Sequence, residues 1–263
     1  MLVNRICGSG LISMIVGASH IMTGYRNIVL CGGFESMSRI PHTVYIRKGM
    51  LSHTQLSDAL LADGLTDAKS GELMGICTER VAKRYGFNRA DMDEVAIRSY
   101  SNAIKAKKEK ILAKEIVEVP TKAGPVKDDE ELGKFDPAKL KKLKSAFIEN
   151  GTITAANASK ISDGAQGMLI MGEDIAKARG ITPLARIIGF EEASVAPGDF
   201  TVGAVEAAKK CLERSKLSVK DIDYFELNEA FSIVPLLGHK LAGMPIDRIN
   251  VHGGAVALGH PLG

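Results

Sequence analysis

The chain has 263 residues, of which 45% are hydrophobic and only 5% aromatic, and its formal net charge is +3. This length is enough to bury the core of one large or two modest domains, and the small net charge gives no indication of nucleic acid as a partner. No apolar stretch reaches the roughly 20 residues that a membrane-spanning helix needs, so we predict no membrane segment. The four cysteines show no paired spacing and no CxxC motif, which favours a reducing compartment over a disulfide framework.

The first quarter of the chain predicts a buried helix, a strand and a long loop excursion. Segment 10–25 is apolar on most faces, which is typical of a buried helix. We expect Ser9 to cap its N-terminus and Gly24 to end it. Segment 27–31 is a short apolar strand. From 35 to 71 no periodicity is sustained, so this stretch is predicted to consist of loops.

The rest of the chain predicts strands and helices in alternation. Strands are expected over 116–119, 165–171, 185–190, 224–227 and 249–252. Helices are expected over 77–85, 90–110, 173–179, 202–213 and 230–241, and segment 125–144 is predicted to be irregular at first and then helical. Strands that alternate with helices indicate an α/β fold in which helices cover the sheets.

Three short segments carry candidate chemistry. Segment 4–10 (NRICGSG) places Cys7 just before the first helix, where the positive end of the helix would lower the pKa of a thiol. Segment 253–263 (GGAVALGHPLG) places His260 in a glycine-rich turn. A thiol nucleophile needs a nearby base, and glycines let backbone amides approach a reacting carbonyl.

Each of these side chains also has an ordinary structural interpretation. Asn228, in the sequence NEAF at 228–231, could act in the same site or cap the helix that follows it. Taken alone, Cys7 would more commonly be a small buried hydrophobic residue, and His260 an ordinary turn residue. The three segments together are a more specific indication of catalytic chemistry than any one of them.

These segments occur in the same order in the thiolase family, and the chain resembles that family, its acetyl-CoA acetyltransferases in particular, over nearly all its length. The resemblance implies the thiolase fold, with two similar α/β halves and an inserted loop domain. The implied domains are 1–36 with 160–181 for the first half, 37–159 for the loop domain and 182–263 for the second half. It also implies that parts at both ends are missing, among them a second cysteine that moves protons on the substrate, so we expect the chain not to complete the catalytic cycle.

The resemblance further implies a role for each candidate residue. Cys7 would carry the acyl group as a thioester, and His260 would activate Cys7 and donate to the thioester oxygen. Asn228 would hold a water that completes the oxyanion hole. The implied reaction condenses two acetyl-CoA to acetoacetyl-CoA and coenzyme A, or runs in reverse. A longer-chain 3-ketoacyl-CoA thiolase, or a non-catalytic fragment that at most binds coenzyme A or partner subunits, stays open as an alternative.

Two binding sets are implied in the same way. Coenzyme A would be contacted by Tyr100, Lys134, Phe135, Asp136, Lys139 and Ser159. A potassium ion would be held by Tyr100 and by the carbonyl oxygens of Ala155, Ala156, Ala158 and Val256, since backbone oxygens suit a hard cation. This potassium set favours the animal mitochondrial type, hence a mitochondrial location, with cytosol or peroxisome as alternatives. The complete protein would be a homodimer or homotetramer.

Overall fold

The chain divides into two compact units. The structure, a computed structural model, describes residues 1–46 and 53–263. Unit 1 consists of residues 1–66, 161–190 and 261–263, and unit 2 of residues 67–160 and 191–260. Among the described residues, no helix combines the length and the apolar character needed to cross a bilayer. The three-part domain division expected from the sequence stays a prediction.

Unit 1 is built around one helix on a two-stranded sheet. Helix α1 (Ser9–Met22) packs against strands β1 (Ile28–Ser36) and β4 (Asp163–Met171). The strands are antiparallel, with Ile28 opposite Met171. Their shared core is small and contains Ala18, Cys31 and Ile170. Gly17 lets the helix approach the sheet, because a Cβ there would lie 2.5 Å from Cys31 Sγ.

Helix α1 confirms the predicted helix but corrects two details. Ser9 is the first helical residue rather than the cap, and its hydroxyl accepts from the Arg5 backbone N–H and donates to the Ile6 carbonyl. Gly24 follows the helix end as expected, with a φ of 73° that favours glycine. The predicted burial is wrong, because the sheet covers one side only and Leu11 and Met22 are 65% and 76% exposed.

The rest of unit 1 contains short elements. Strands β2 (His42–Thr43) and β3 (Ser57–Asp58) form a second antiparallel pair, and a π-helical turn (Leu60–Gly64) follows them. The predicted excursion over 35–71 thus contains some regular structure, and its residues 47–52 lie outside the described residues. After β4 comes helix α5 (Glu173–Ala178), close to its predicted bounds.

The strand expected over 185–190 does not form. This segment has no regular assignment, and the flanking Leu184 and its member Ile188 are exposed. A strand is stabilised by hydrogen bonds to a neighbour, and no strand of the described residues pairs with this one. An apolar β-prone sequence was therefore not sufficient for a strand here.

Unit 2 is mainly helical. Its helices are α2 (Met74–Tyr85), α3 (Arg89–Lys108), α4 (Pro137–Leu140), α6 (Phe200–Arg214), α7 (Ile233–Ala242) and α8 (Ala255–Leu258). Asn88 caps α3 by accepting from the backbone N–H groups of Ala90 and Asp91, and Gly86 ends α2 with a φ of 71°. The core includes the fully buried Val81 and Leu237.

Where strands were predicted in unit 2, the structure contains isolated β-bridges. Val119 pairs with Val126, and Phe225 lies parallel to Ile249, so segments 116–119, 224–227 and 249–252 are wrong as strands. Helix α7 begins at Ile233 instead of residue 230. The preceding residues pair elsewhere, because the Ala230 carbonyl accepts from the Ser159 N–H at 3.0 Å.

Candidate functional site

His260 lies in unit 2 directly after the short helix α8. Gly259 adopts a φ of 94°, a left-handed conformation that favours glycine and turns the chain out of the helix. The His260 backbone N–H donates to the Lys160 carbonyl at 3.1 Å. The residue is buried, and burial lowers the pKa of its imidazole below the ordinary value. A neutral imidazole at neutral pH is available to accept a proton.

Asn228 contacts this imidazole. Its Nδ2 lies 3.1 Å from His260 Nε2. When the amide nitrogen donates to Nε2, the proton of the neutral imidazole lies on Nδ1, and Nε2 is the basic nitrogen of the ring. The alternative that Asn228 caps α7 is not supported, since residue 232 stands at the N-cap of that helix. The structure therefore brings two of the three predicted catalytic residues together.

Glu229 holds this part of unit 2 together. Its carboxylate is almost fully buried, and Oε2 accepts from Ser99 Oγ at 2.7 Å and from the Val256 N–H at 3.2 Å. Oε1 accepts from Asn250 Nδ2 at 2.7 Å. Gly254 has to be glycine, because a Cβ there would lie 2.3 Å from Glu229 Cδ. The carboxylate thus links α3 and α8 to the segment that carries Asn228.

No role was predicted for Glu229 from the sequence. The only available signal was its position, since it is a charged residue between Asn228 and the apolar pair Ala230 and Phe231. A buried carboxylate needs hydrogen-bond donors around it, and those donors come from residues 99, 250 and 256. Their convergence is not visible in the local sequence.

Cys7 lies in unit 1, in a single 3-10 turn (Ile6–Gly8) directly before α1. The residue is exposed, and Ile6 before it has a φ of 48°, a strained conformation for a β-branched side chain. Although the residue reaches the surface, neighbouring protein atoms partly desolvate its thiol and raise the thiol pKa, which outweighs the lowering by the backbone hydrogen bond of Cys7. The lowered pKa expected from the helix N-terminus is therefore wrong.

The other three cysteines are placed differently. Cys31 is buried in β1 and Cys77 is fully buried in α2, where desolvation raises the pKa of both thiols. Cys211 is half-buried in α6. Cys7 is thus the one exposed cysteine of the four, all of which lie in the described part of the chain. This exposure suits a group that has to reach a substrate.

Five of the six residues expected to contact coenzyme A lie around one turn of unit 2. Phe135 stacks on Tyr100 with ring centroids 4.5 Å apart, and Asp136 caps α4. Lys134 Nζ lies 2.5 Å from Glu131 Oε1, and Lys139 Nζ lies 3.5 Å from Asp136 Oδ2. Both lysines are exposed but have a carboxylate neighbour, which weakens their pull on a phosphate.

Ser159 lies next to the segment that contains Asn228. Its backbone N–H donates to the Ala230 carbonyl, and its neighbour Ala158 bridges to Phe231. The structure therefore places this expected coenzyme A contact beside the Asn228 segment.

The residues expected to hold potassium also come together. Tyr100, Ala156 and Val256 pack in one apolar cluster. Burial and the negative charge of Glu131 raise the pKa of Tyr100 to about 12, so its phenol stays protonated. The carbonyls of Ala155 and Ala158 both accept from Lys160 Nζ, at 2.7 Å and 2.9 Å.

Carboxylate, thiolate and imidazole ligands give no second candidate for a metal site. Within residues 1–46 and 53–263, no group of three or more His, Cys, Asp or Glu side chains is placed to hold a metal ion. The backbone carbonyls of Ala155 and Ala158, which contact Lys160, remain predicted cation ligands.

Comparison with known proteins identifies the family. Residues 1–174 match the thiolase N-terminal domain and residues 181–263 match the thiolase C-terminal domain. Acetyl-CoA acetyltransferase IA of Candida tropicalis is 41% identical over 273 residues, covering 99% of the chain and 67% of that protein. The mitochondrial acetyl-CoA acetyltransferase of Danio rerio is 40% identical over 267 residues, covering 99% of the chain and 64% of that protein.

Solved structures agree with these matches. A thiolase from Ascaris suum in complex with coenzyme A is similar with a TM-score of 0.94 and 41% identity, covering 99% of the chain and 68% of that protein. Human mitochondrial 3-ketoacyl-CoA thiolase in complex with CoA is similar with a TM-score of 0.95 and 36% identity. This alignment covers 99% of the chain and 67% of that protein. The chain spans about two thirds of the length of the proteins it matches. Two matched domains and a near-complete structural alignment lead to one conclusion: the chain belongs to the thiolase family.

Proposed function

We propose that this chain carries the acyl-transfer chemistry of an acetyl-CoA C-acetyltransferase. The full reaction of such an enzyme condenses two acetyl-CoA to acetoacetyl-CoA and coenzyme A, or cleaves acetoacetyl-CoA in the reverse direction. The observation that carries the proposal is the contact between Asn228 Nδ2 and Nε2 of the buried His260, which places an amide beside a neutral imidazole. The names of the curated relatives, which are acetyl-CoA acetyltransferases, support the same reaction.

The proposed acylation half-reaction begins at Cys7. His260 Nε2 takes the proton from Cys7 Sγ, and the thiolate attacks the carbonyl carbon of acetyl-CoA. The carbon–sulfur bond to coenzyme A then breaks, and His260 returns the proton to the departing coenzyme A thiolate. Because the pKa of the Cys7 thiol is raised, proton transfer to a base is needed to form the thiolate at neutral pH.

The oxyanion that develops on the thioester needs donors. We assign this role to the protonated imidazole of His260 and to a water held by Asn228. Glu229 stays outside the reaction, but its hydrogen bonds to three separate segments fix the backbone that carries Asn228. Glu229 is therefore a positioning residue.

Coenzyme A is the proposed carrier of the acyl group. Lys134 and Lys139 are exposed and cationic, as contacts to its phosphates would require, and Tyr100, Phe135, Asp136 and Ser159 complete the proposed contact set. Two of the similar solved structures, the Ascaris suum and human thiolases, contain coenzyme A, which supports this assignment.

A longer-chain 3-ketoacyl-CoA thiolase is the second candidate. It is favoured by the high structural similarity to the human mitochondrial enzyme of that name. Acyl donors of increasing chain length separate the two candidates. An acetyl-CoA acetyltransferase should be acylated efficiently by acetyl-CoA and poorly by longer acyl-CoA donors.

Location and assembly complete the proposal. The word mitochondrial in the name of the Danio rerio relative supports a mitochondrial location, whereas the name of the Candida tropicalis relative carries no location. We propose a homodimer or homotetramer as the assembly of the complete protein.

The direct test is to find the acylated residue. The chain is incubated with acetyl-CoA, digested and mapped by mass spectrometry, and an acetyl adduct is expected on Cys7. Cys7→Ala should lose the adduct, whereas the matched variant Cys211→Ala should keep it. An adduct on Cys31, Cys77 or Cys211 in the unaltered chain would rule out the assignment.

A further inference from the structure

Two carbonyl oxygens in the loop before residue 160 converge on one positive charge. Lys160 Nζ donates to the Ala155 carbonyl at 2.7 Å and to the Ala158 carbonyl at 2.9 Å. These carbonyls are two of the groups that the family resemblance assigns to a potassium ion. In this chain, an ammonium group that is covalently part of the loop already lies on them.

We infer that the Lys160 ammonium group is the resident cation of this loop and takes the place of a potassium ion. An ammonium group resembles potassium in size and charge, and backbone carbonyls satisfy both. A potassium ion bound to the same two oxygens would lie close to Nζ, where two like charges repel strongly. The carbonyls suit a monovalent cation, but the charge already beside them does not leave room for a second one.

The surroundings of Lys160 support a charged side chain at this position. Nζ lies 5.8 Å from the centre of the Tyr100 ring, within the range of a cation–π interaction. Two carbonyl oxygens and one aromatic ring therefore surround the ammonium group.

The cation position is connected to the candidate catalytic residues. The Lys160 carbonyl accepts from the His260 N–H at 3.1 Å, and the adjacent Ser159 N–H donates to the Ala230 carbonyl at 3.0 Å. Fixing loop 155–160 thus also fixes the backbone at His260 and the segment after Asn228. Lys160 is a positioning residue, since it acts on these groups through the loop.

The test compares thermal stability in potassium and sodium chloride at equal ionic strength. The unaltered chain should show the same Tm in both salts. Lys160→Ala should lower Tm by roughly 5–10 °C in sodium chloride, because two charged hydrogen bonds are lost and the carbonyls remain. In potassium chloride this variant should regain most of the loss, since the ion fills the vacated position.

Two further variants act as controls. Lys160→Met keeps the length of the side chain without its charge, so Tm should fall in both salts without recovery in potassium. Lys240→Ala removes a lysine of similar surroundings elsewhere in unit 2. Lys240 Nζ donates to the Tyr85 carbonyl at 2.5 Å and lies 5.1 Å from the Phe87 ring centre. Its removal should shift Tm equally in both salts.

Two results would overturn the inference. A rise in Tm of the unaltered chain in potassium over sodium would show a separate potassium site beside Lys160. A Lys160→Ala variant that gains nothing from potassium, or that stays unfolded in both salts, would show that the ammonium does not stand in for the ion. Because the readout is stability, the inference does not depend on the proposed function and is tested even if no acyl transfer is detected.

Discussion

The two units differ most in how completely their apolar side chains are covered. In unit 1, the buried cluster seen among the described residues consists of Ala18, Cys31 and Ile170, while Leu30 and Phe34 in β1 are more than three quarters exposed. In unit 2, Val205, Ile233 and several other core residues have no exposure at all. A two-stranded sheet with one helix leaves apolar faces open, whereas packed helices cover one another.

This difference matches the chemistry that each unit carries. Unit 2 holds the groups that depend on burial: the neutral His260, the carboxylate of Glu229 and the ammonium of Lys160. Unit 1 presents Cys7 on an exposed turn. Desolvated polar groups need a closed core that supplies their partners, whereas a nucleophile has to be accessible.

The largest expected effect is on the base in unit 2. His260→Ala should slow the acetylation of Cys7 by on the order of 10²–10⁴, the usual contribution of positioned acid–base catalysis. The rate is measured by quenching the reaction with acetyl-CoA and quantifying the Cys7 adduct by mass spectrometry. His239→Ala is the matched control, because the His239 ring contacts the Met244 carbonyl, at 2.8 Å from Nδ1, instead of Asn228. Equal losses in both variants would show that His260 has no special role.

The next effect concerns the buried carboxylate of unit 2. Glu229→Ala should lower the free energy of unfolding by about 3–5 kcal/mol, because three donors lose their acceptor in a dry environment. Glu173→Ala in unit 1 removes an exposed ion pair with Lys177 and should change the free energy of unfolding far less, because solvent screens this pair. Urea denaturation measures both values. Similar midpoints for the two variants would contradict the contrast between the units.

A smaller effect is expected in the thin core of unit 1. Gly17→Ala should lower the free energy of unfolding by about 1–3 kcal/mol, because the new Cβ would lie 2.5 Å from Cys31 Sγ. Gly10→Ala in the same helix meets nothing within 4 Å and should be neutral or stabilise by up to about 1 kcal/mol. The pair is compared by urea denaturation. If both substitutions stabilise the chain, the close packing of α1 on β1 is not present in solution.

The smallest effect is a pH dependence that His260 adds to unit 2. Burial lowers the pKa of its imidazole below the ordinary 6.5, so in the window below pH 6.5 the unfolded chain binds the proton first. The free energy of unfolding should therefore fall as the pH drops through this window. Urea denaturation at a series of pH values measures this slope.

A His260 variant and the pH dependence of Cys7 acetylation check whether His260 causes that slope. His260→Gln should reduce the slope. The acid limb of Cys7 acetylation should also lie below pH 6.5, because the neutral base persists there. An acid limb above pH 6.5 would contradict a desolvated His260.

Local sequence determined the longer helices and the candidate catalytic residues. Helices α2, α3 and α6 agree with their predicted bounds to within three residues, because periodicity and end residues such as Asn88 and Gly86 act within one or two turns. The motifs around Cys7, Asn228 and His260 identified the family without any distance. The contact between Asn228 and His260 then followed in the structure.

Only the tertiary structure decided which apolar segments become strands and which charges sit in the interior. Segment 185–190 has a strand-like sequence but no partner strand in the part of the chain described, and strand formation depends on a neighbour. Glu229 acquired its role from donors up to 130 residues away. Lys160 looked like an ordinary lysine, and its role became visible where the backbone turned two carbonyls toward it. Backbone carbonyls are the same in every residue, so only the folded path of the chain shows where they converge.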